Sequence, residues 1–186
     1  NPGSSVGVLV VDGSYSQQAD ALLQIELSGT TPGVEHDQLV VNGVASLAGT
    51  LAVSTMTSGG TYTDPVVRGQ EDSFIIITTG FRSGVFSTVT FDGVELIPTS
   101  LKPNGSFRSH QSAGLFREII FGANTVELRH LLAMPGDVDG DNDVDTVDLT
   151  QMLVNFTGDR GSGKIWTTGD NDGDNDTDTH DLTTAI

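Results

Sequence analysis

"DQLVVNGVASLAGTLAV", residues 37–53, sets apolar or small residues at every second position: Leu39, Val41, Gly43, Ala45, Leu47, Gly49, Leu51 and Val53. It contains two short apolar runs, 38–41 and 50–53, that read as strands. Comparable runs rich in β-branched residues recur outward from it, at 6–11, 22–27, 73–79, 85–91, 118–121 and 125–128. Glycine-bearing turns such as SGTTPG (28–33), SGG (58–60) and KPNG (102–105) separate them. No stretch before residue 134 sustains a 3.6-residue apolar period, so the expectation is a mainly β chain. The segments starting at Asp20, Asp37 and Asp72 give rungs about twenty residues long with glycine at the corners, as a stacked β-solenoid (β-helix-like) fold requires. Short strands at this spacing also fit a β-sandwich, and both arrangements stay open.

The composition narrows the functional classes. The chain has 186 residues, 23 glycines, no cysteine and a formal net charge of -17. Disulfides, thiolate metal sites and a cysteine nucleophile are thereby excluded. Nucleic acid and anionic membrane are poor partners for so acidic a surface. No run of eighteen apolar residues is present, so no membrane-spanning helix is expected. The first residue is Asn1 and no signal-like segment follows, which reads as a mature or internal fragment.

The charge is concentrated. Residues 136–186 carry 13 aspartates against Arg160 and Lys164, a net of -11, and composition changes abruptly at the Pro135–Gly136 turn signal. We therefore place a β-rich domain at 1–134 and a second module at 135–186, its second repeat truncated at Ile186. The module holds two copies of one pattern, "GDVDGDNDVDTVDLTQ" from Gly136 and "GDNDGDNDTDTHDLTT" from Gly169, 33 residues apart. Counting from Asp137, acidic residues occupy positions 1, 3, 5, 7, 9 and 12: Asp137, Asp139, Asp141, Asp143, Asp145 and Asp148. The second copy supplies Asp170, Asp172, Asp174, Asp176, Asp178 and Asp181. A twelve-residue loop with oxygen donors at these positions is the EF-hand-like way of surrounding Ca²⁺, with position 7 using its backbone carbonyl and position 9 acting directly or through water. An all-oxygen donor set suits hard cations, and the high donor number favours Ca²⁺ over Mg²⁺. Asn142 and Asn175 stand at position 6, where a sharp turn needs positive φ, which asparagine tolerates. After the first loop, Leu149, Met152, Leu153 and Phe156 recur at helical spacing, predicting an amphipathic helix ended by Gly158.

A duplicated loop with aspartate at position 12, followed at once by leucine and a helix, resembles the type I dockerin module. The resemblance implies two loop–helix segments, each binding one Ca²⁺, and docking onto a cohesin domain through Thr146–Val147 and Thr179–His180. Val144, at position 8, is the residue expected to link the loops, with Thr177 a weaker counterpart. Thrombospondin type 3 repeats also wrap Ca²⁺ in aspartate runs, but without a helix such as "LTQMLVNF" between them. Upstream, residues 12–53 and 74–86 resemble the terminal part of autotransporter-like β-helix proteins of bacterial surfaces, which implies a secreted structural segment.

Nothing frames a catalytic centre. Glu35, His36 and Asp37 are neighbours in an extended segment and read as a polar turn before a strand. Ser109–His110 falls in a serine- and glycine-rich stretch read as a loop, without a nucleophile elbow. "GSGK" (161–164) lacks the preceding glycine of a phosphate loop. Trp166 is expected to pack the linker against the acidic module. The expected function is non-catalytic: a secreted or cell-surface calcium-binding protein with two Ca²⁺ sites. Its partner is a cohesin-like domain or other copies of itself, the latter as a fibre-like homopolymer. The contrasting readings are the end of an extracellular polysaccharide-degrading enzyme and a carbohydrate-binding β-sandwich.

Overall fold

The structure, a computed structural model, describes residues 5–56, 62–97, 106–158 and 161–185. The turns expected at 58–60 and 102–105, and Arg160, lie outside the described residues. Among the described residues the protein is mainly β, with 42% in strands and 12% in helices, and no closed barrel.

In chain order the strands are β1 (Val8–Val11), β2 (Tyr15–Ser16), β3 (Leu22–Leu27), β4 (Gln38–Leu47), β5 (Thr50–Thr55), β6 (Glu71–Gly84), β7 (Thr88–Phe91), β8 (Val94–Glu95), β9 (Phe107–Ser112), β10 (Leu115–Phe121) and β11 (Thr125–Leu132). Helices α1 (Thr146–Asn155) and α2 (Thr179–Thr184) follow, with one 3-10 turn, Trp166–Thr168, between them. One sheet runs β1-β4-β6-β11-β10-β9, with β2 alongside β4; the other runs β3-β5-β7-β8. Consecutive rungs pair in parallel: β1 with β4 and β4 with β6 in the first sheet, β3 with β5 and β5 with β7 in the second. Leu23 lies beside Leu51 and Leu51 beside Val89, so like residues stack on like residues. Ser109 and His110, expected in a loop, belong to β9. The glycines at 105 and 114 flank this strand rather than interrupt it.

The chain divides into two compact units. The first holds Asn1–Thr63, Ser73–Ser109 and Glu118–Arg129; the second holds Asp64–Asp72, His110–Arg117 and His130–Ile186. Residues 135–186 thus share their unit with three stretches that precede the Pro135–Gly136 turn.

The core of the first unit follows from the alternation at 37–53: Leu39, Val41, Ala45, Leu47, Leu51 and Val53 are all buried. They pack with Ile25, Leu27, Phe74, Ile76, Phe91 and Phe121 into one cluster. The alternation survives an extra residue in β4, between Val41 and Val44, where the register against β6 shifts. Between β4 and β5 the chain turns from one sheet to the other at Gly49, whose φ is +67°. A Cβ there would lie 2.4 Å from the Ala21 carbonyl oxygen, so the corner requires glycine. Gln17 completes this corner, its amide donating to the Ala21 and Thr50 carbonyls at 3.3 and 3.1 Å. The Glu35–His36–Asp37 stretch is structural: the buried Asp37 carboxylate accepts from Gly7 N at 2.8 Å and Glu26 N at 2.9 Å. His36, also fully buried, sets its ring edge-on to Phe74.

Two substitutions test this account of the core. Leu51→Ala removes a fully buried side chain and should cost about 2–5 kcal/mol in denaturant unfolding. Gly49→Ala combines positive φ with a backbone clash and should also lower the unfolding midpoint, although it deletes nothing.

Candidate metal centre

Each acidic loop is folded by its own carboxylates. In the first, Asp137 Oδ1 accepts from Gly140 N at 2.6 Å and Asp141 N at 3.1 Å, while Oδ2 accepts from Asn142 N at 3.1 Å. Asp148 Oδ1 accepts from Val138 N and Asp139 N, and its Oδ2 from Asp145 N. The second loop repeats the scheme. Asp170 accepts from Gly173 N and Asn175 N, and Asp181 accepts from Asn171 N, Asp172 N and Asp178 N. Asn142 and Asn175 sit at φ +76° and +75°, the left-handed turn at position 6 of each loop.

The loops lead directly into the helices. Asp145 caps α1 by accepting from Val147 N, and Asp178 caps α2 by accepting from His180 N. In both, the position-12 carboxylate reaches back to the cap residue's N–H, making a reciprocal capping box. One residue type therefore serves as cap, loop closure and negative charge at a helix N-terminus.

These bonds draw the carboxylates into groups whose oxygens lie within 4.8 Å of one another: Asp137, Asp139 and Asp141; Asp143, Asp145 and Asp148; Asp170, Asp172 and Asp181; Asp176, Asp178 and Asp181. Asp174 stands outside these groups, its carboxylate accepting from Asp176 N at 3.0 Å. Like charges at that separation repel by about 3 kcal/mol at an effective dielectric near 20. Asp137, Asp148, Asp170 and Asp181 are buried, which adds a desolvation penalty. Burial first, with the Asp148 charge adding to it, pushes the Asp137 carboxyl up to about 6 despite its three N–H donors. The Asp143 carboxyl is raised by the Asp141 charge, and that of Asp172 by burial. His180 approaches Asp172 at 3.8 Å. The clusters could hold a metal ion, and an all-carboxylate donor set fits a hard divalent cation.

The two segments interlock around their helices. Met152 of α1 packs over Gly169 ahead of the second loop, and Ala185 after α2 packs over Gly136 ahead of the first. Met152 and Ala185 occupy corresponding positions in the two copies. The helix stripe expected after Asp148 is only partly buried: Met152 is 1% exposed, but Leu149, Leu153 and Phe156 are 47%, 55% and 43% exposed. Helix α1 is ten residues long and turns one narrow face inward, so the rest of the stripe faces outward. Val144 is the residue expected to link the loops, and it lines an apolar recess with Leu149, Met152, Leu182 and Ala185. Thr177, fully buried, receives a bond from Thr157 N at 2.8 Å on its carbonyl and donates its hydroxyl to Thr168 O at 3.1 Å.

Trp166 does pack the linker against the acidic module, as its sequence position suggested: it is buried, and its indole N–H donates to Asp137 O at 2.7 Å. Phe116, Leu131 and Ala133 surround it, and the Arg68 guanidinium lies 4.7 Å from its ring centroid. Nothing in the spacing of the loops points to Phe116 or Arg68; the chain brings them there from distant strand ends. No protein-family model, no curated protein and no solved structure matches the chain.

A raised Asp137 carboxyl has a defined sign. The folded, metal-free chain holds that proton more tightly than the unfolded chain. Its contribution to stability is therefore present below the ordinary carboxylate range and lost as pH rises through about 6. A bound cation must displace the same proton. Metal affinity of the first loop should fall about tenfold between pH 7 and pH 5, measured by calorimetric titration.

Proposed function

We propose that residues 136–186 form a two-site Ca²⁺-binding module of a non-catalytic, secreted or cell-surface structural protein. The observation that carries this reading is the repetition of one carboxylate-to-backbone scheme, Asp137 with Asp148 and Asp170 with Asp181, in two loops 33 residues apart. Side chains at positions 1, 3, 5 and 12 face a common centre in such a loop, with the position-7 carbonyl beside them. Asp137, Asp139, Asp141, Asp143 and Asp148 would hold one ion, and Asp170, Asp172, Asp174, Asp176 and Asp181 the other. Asp145 and Asp178 cap the helices and contribute charge or a water contact. Ca²⁺ suits this set better than Mg²⁺, which keeps more of its water and takes fewer protein donors. Neutralising the clustered carboxylates couples metal binding to the stability of the module.

The first unit fits a β-solenoid better than a β-sandwich, because its rungs pair in parallel, Leu39 beside Ile77 and Leu23 beside Leu51. Antiparallel pairing dominates sandwiches. The dockerin-like reading of the module rests on the paired loops, each leading into a capped helix, and on the exposed position-10 and position-11 residues Thr146–Val147 and Thr179–His180. Association with a cohesin-like domain or another copy is consistent with exposed apolar residues in two places. These are Val147, Leu149 and Leu153 on α1, and Val8, Leu9 and Val10 on the edge strand β1.

Calorimetric titration of the EDTA-treated chain with Ca²⁺ should give a stoichiometry of two. Asp137→Ala with Asp148→Ala should remove one site and leave the other; absence of any binding would reject the reading. Light scattering with and without Ca²⁺ should show a concentration-dependent rise in mass, and a strict monomer in both conditions would rule out self-association.

A further inference from the structure

The two loops share sequence and hydrogen bonds, but not surroundings. Gly140, at position 4 of the first loop, is buried against the ring of Phe116, where an added Cβ would come within 2.6 Å of ring carbons. Gly173, its counterpart in the second loop, is exposed and has open space around the same position. The first loop is fastened a second time through the Trp166 indole, which donates to the carbonyl of Asp137 itself. Trp166 is in turn held in place by Phe116, Leu131 and Ala133, and by Arg68, whose Nη1 donates to the carbonyls of Ala113 and Ala133 at 2.7 and 3.1 Å. Asp137 is fully buried, whereas Asp170 keeps 6% of its surface.

A peptide plane held at its carbonyl fixes the Cα from which the Asp137 carboxylate leaves, and a ring under Gly140 fixes the turn that this carboxylate closes. A loop held in its liganding form before the ion arrives loses less conformational freedom on binding. Outer contacts of this kind typically change metal affinity by about 10–100-fold when removed. We propose that Trp166 and Phe116 are positioning residues for the first loop, and that they make it the tighter of two unequal Ca²⁺ sites. The second loop is held differently, by Lys164 N on Asn175 O at 3.0 Å and Thr157 N on Thr177 O at 2.8 Å, with no ring against Gly173, and its site fills later. The inference rests on the two-site calcium reading above.

The test uses Ca²⁺ as the probe on the full chain. Calorimetry on the unaltered chain should resolve two unequal affinities, and Asp137→Ala with Asp148→Ala should remove the tighter one. Trp166→Phe keeps a ring and deletes the indole N–H. Combined with Asp170→Ala and Asp181→Ala, so that only the first site remains, it should lower affinity about tenfold. Combined with Asp137→Ala and Asp148→Ala, so that only the second remains, it should lower affinity by a clearly smaller factor. Phe116→Leu provides an independent variant, read the same way after circular dichroism confirms folding. Equal affinities in the unaltered chain, or equal losses at both sites in the variants, overturn this inference while leaving calcium binding intact. No binding by the unaltered chain rejects the calcium reading, and this inference with it.

Discussion

Six backbone amides held by two buried carboxylates organise the acidic module of this protein. Asp148 gathers the N–H groups of Val138, Asp139 and Asp145, and Asp181 those of Asn171, Asp172 and Asp178. Each carboxylate ties the beginning of its loop to the start of its helix, so the loop closes before any cation is considered. Hydrogen bonds from several N–H groups favour the ionised carboxylate, whereas burial and neighbouring negative charge oppose it. At Asp137 burial prevails, and the carboxyl rises to about 6. Carboxylate groups drawn together in this way could hold a metal ion.

The same twelve-residue pattern is set in two different environments. The first loop lies against the rings of Phe116 and Trp166, whereas the second has open space at Gly173 and is held through Asn175 and Thr177. Repetition in sequence therefore does not produce equivalence in the fold. What differs is packing: Phe116 against Gly140, Trp166 against Asp137, and no neighbour at Gly173.

In the first unit a different constraint governs. Parallel rungs stack like on like, so the chain must reverse at corners too tight for a Cβ, as at Gly49 beside the Ala21 carbonyl. Polar groups there are satisfied locally, by Gln17 and by the doubly bonded Asp37 carboxylate. Buried polar residues such as Asp37 and His36 are thereby hydrogen-bonded within the fold.

The sequence by itself determined whatever depends on short-range periodicity. The apolar runs at 38–41 and 50–53 marked strands β4 and β5, and the spacing of aspartates from Asp137 and Asp170 delimited both loops, their position-6 turns and the helices that follow. These features are legible because backbone geometry repeats every two residues in a strand and every few residues in a loop. The sequence did not reveal how little of the α1 stripe would be covered, since a stripe at 149, 152, 153 and 156 states which face is apolar but not what is available to cover it. Nor did it reveal the seat of the first loop. Phe116, Gly114 and Arg68 come from strand ends and turns far from Asp137 in the chain, and their convergence follows from strand order and register. Only the tertiary structure decides such contacts, because the energy of a packed ring depends on what lies against it, not on its neighbours in sequence.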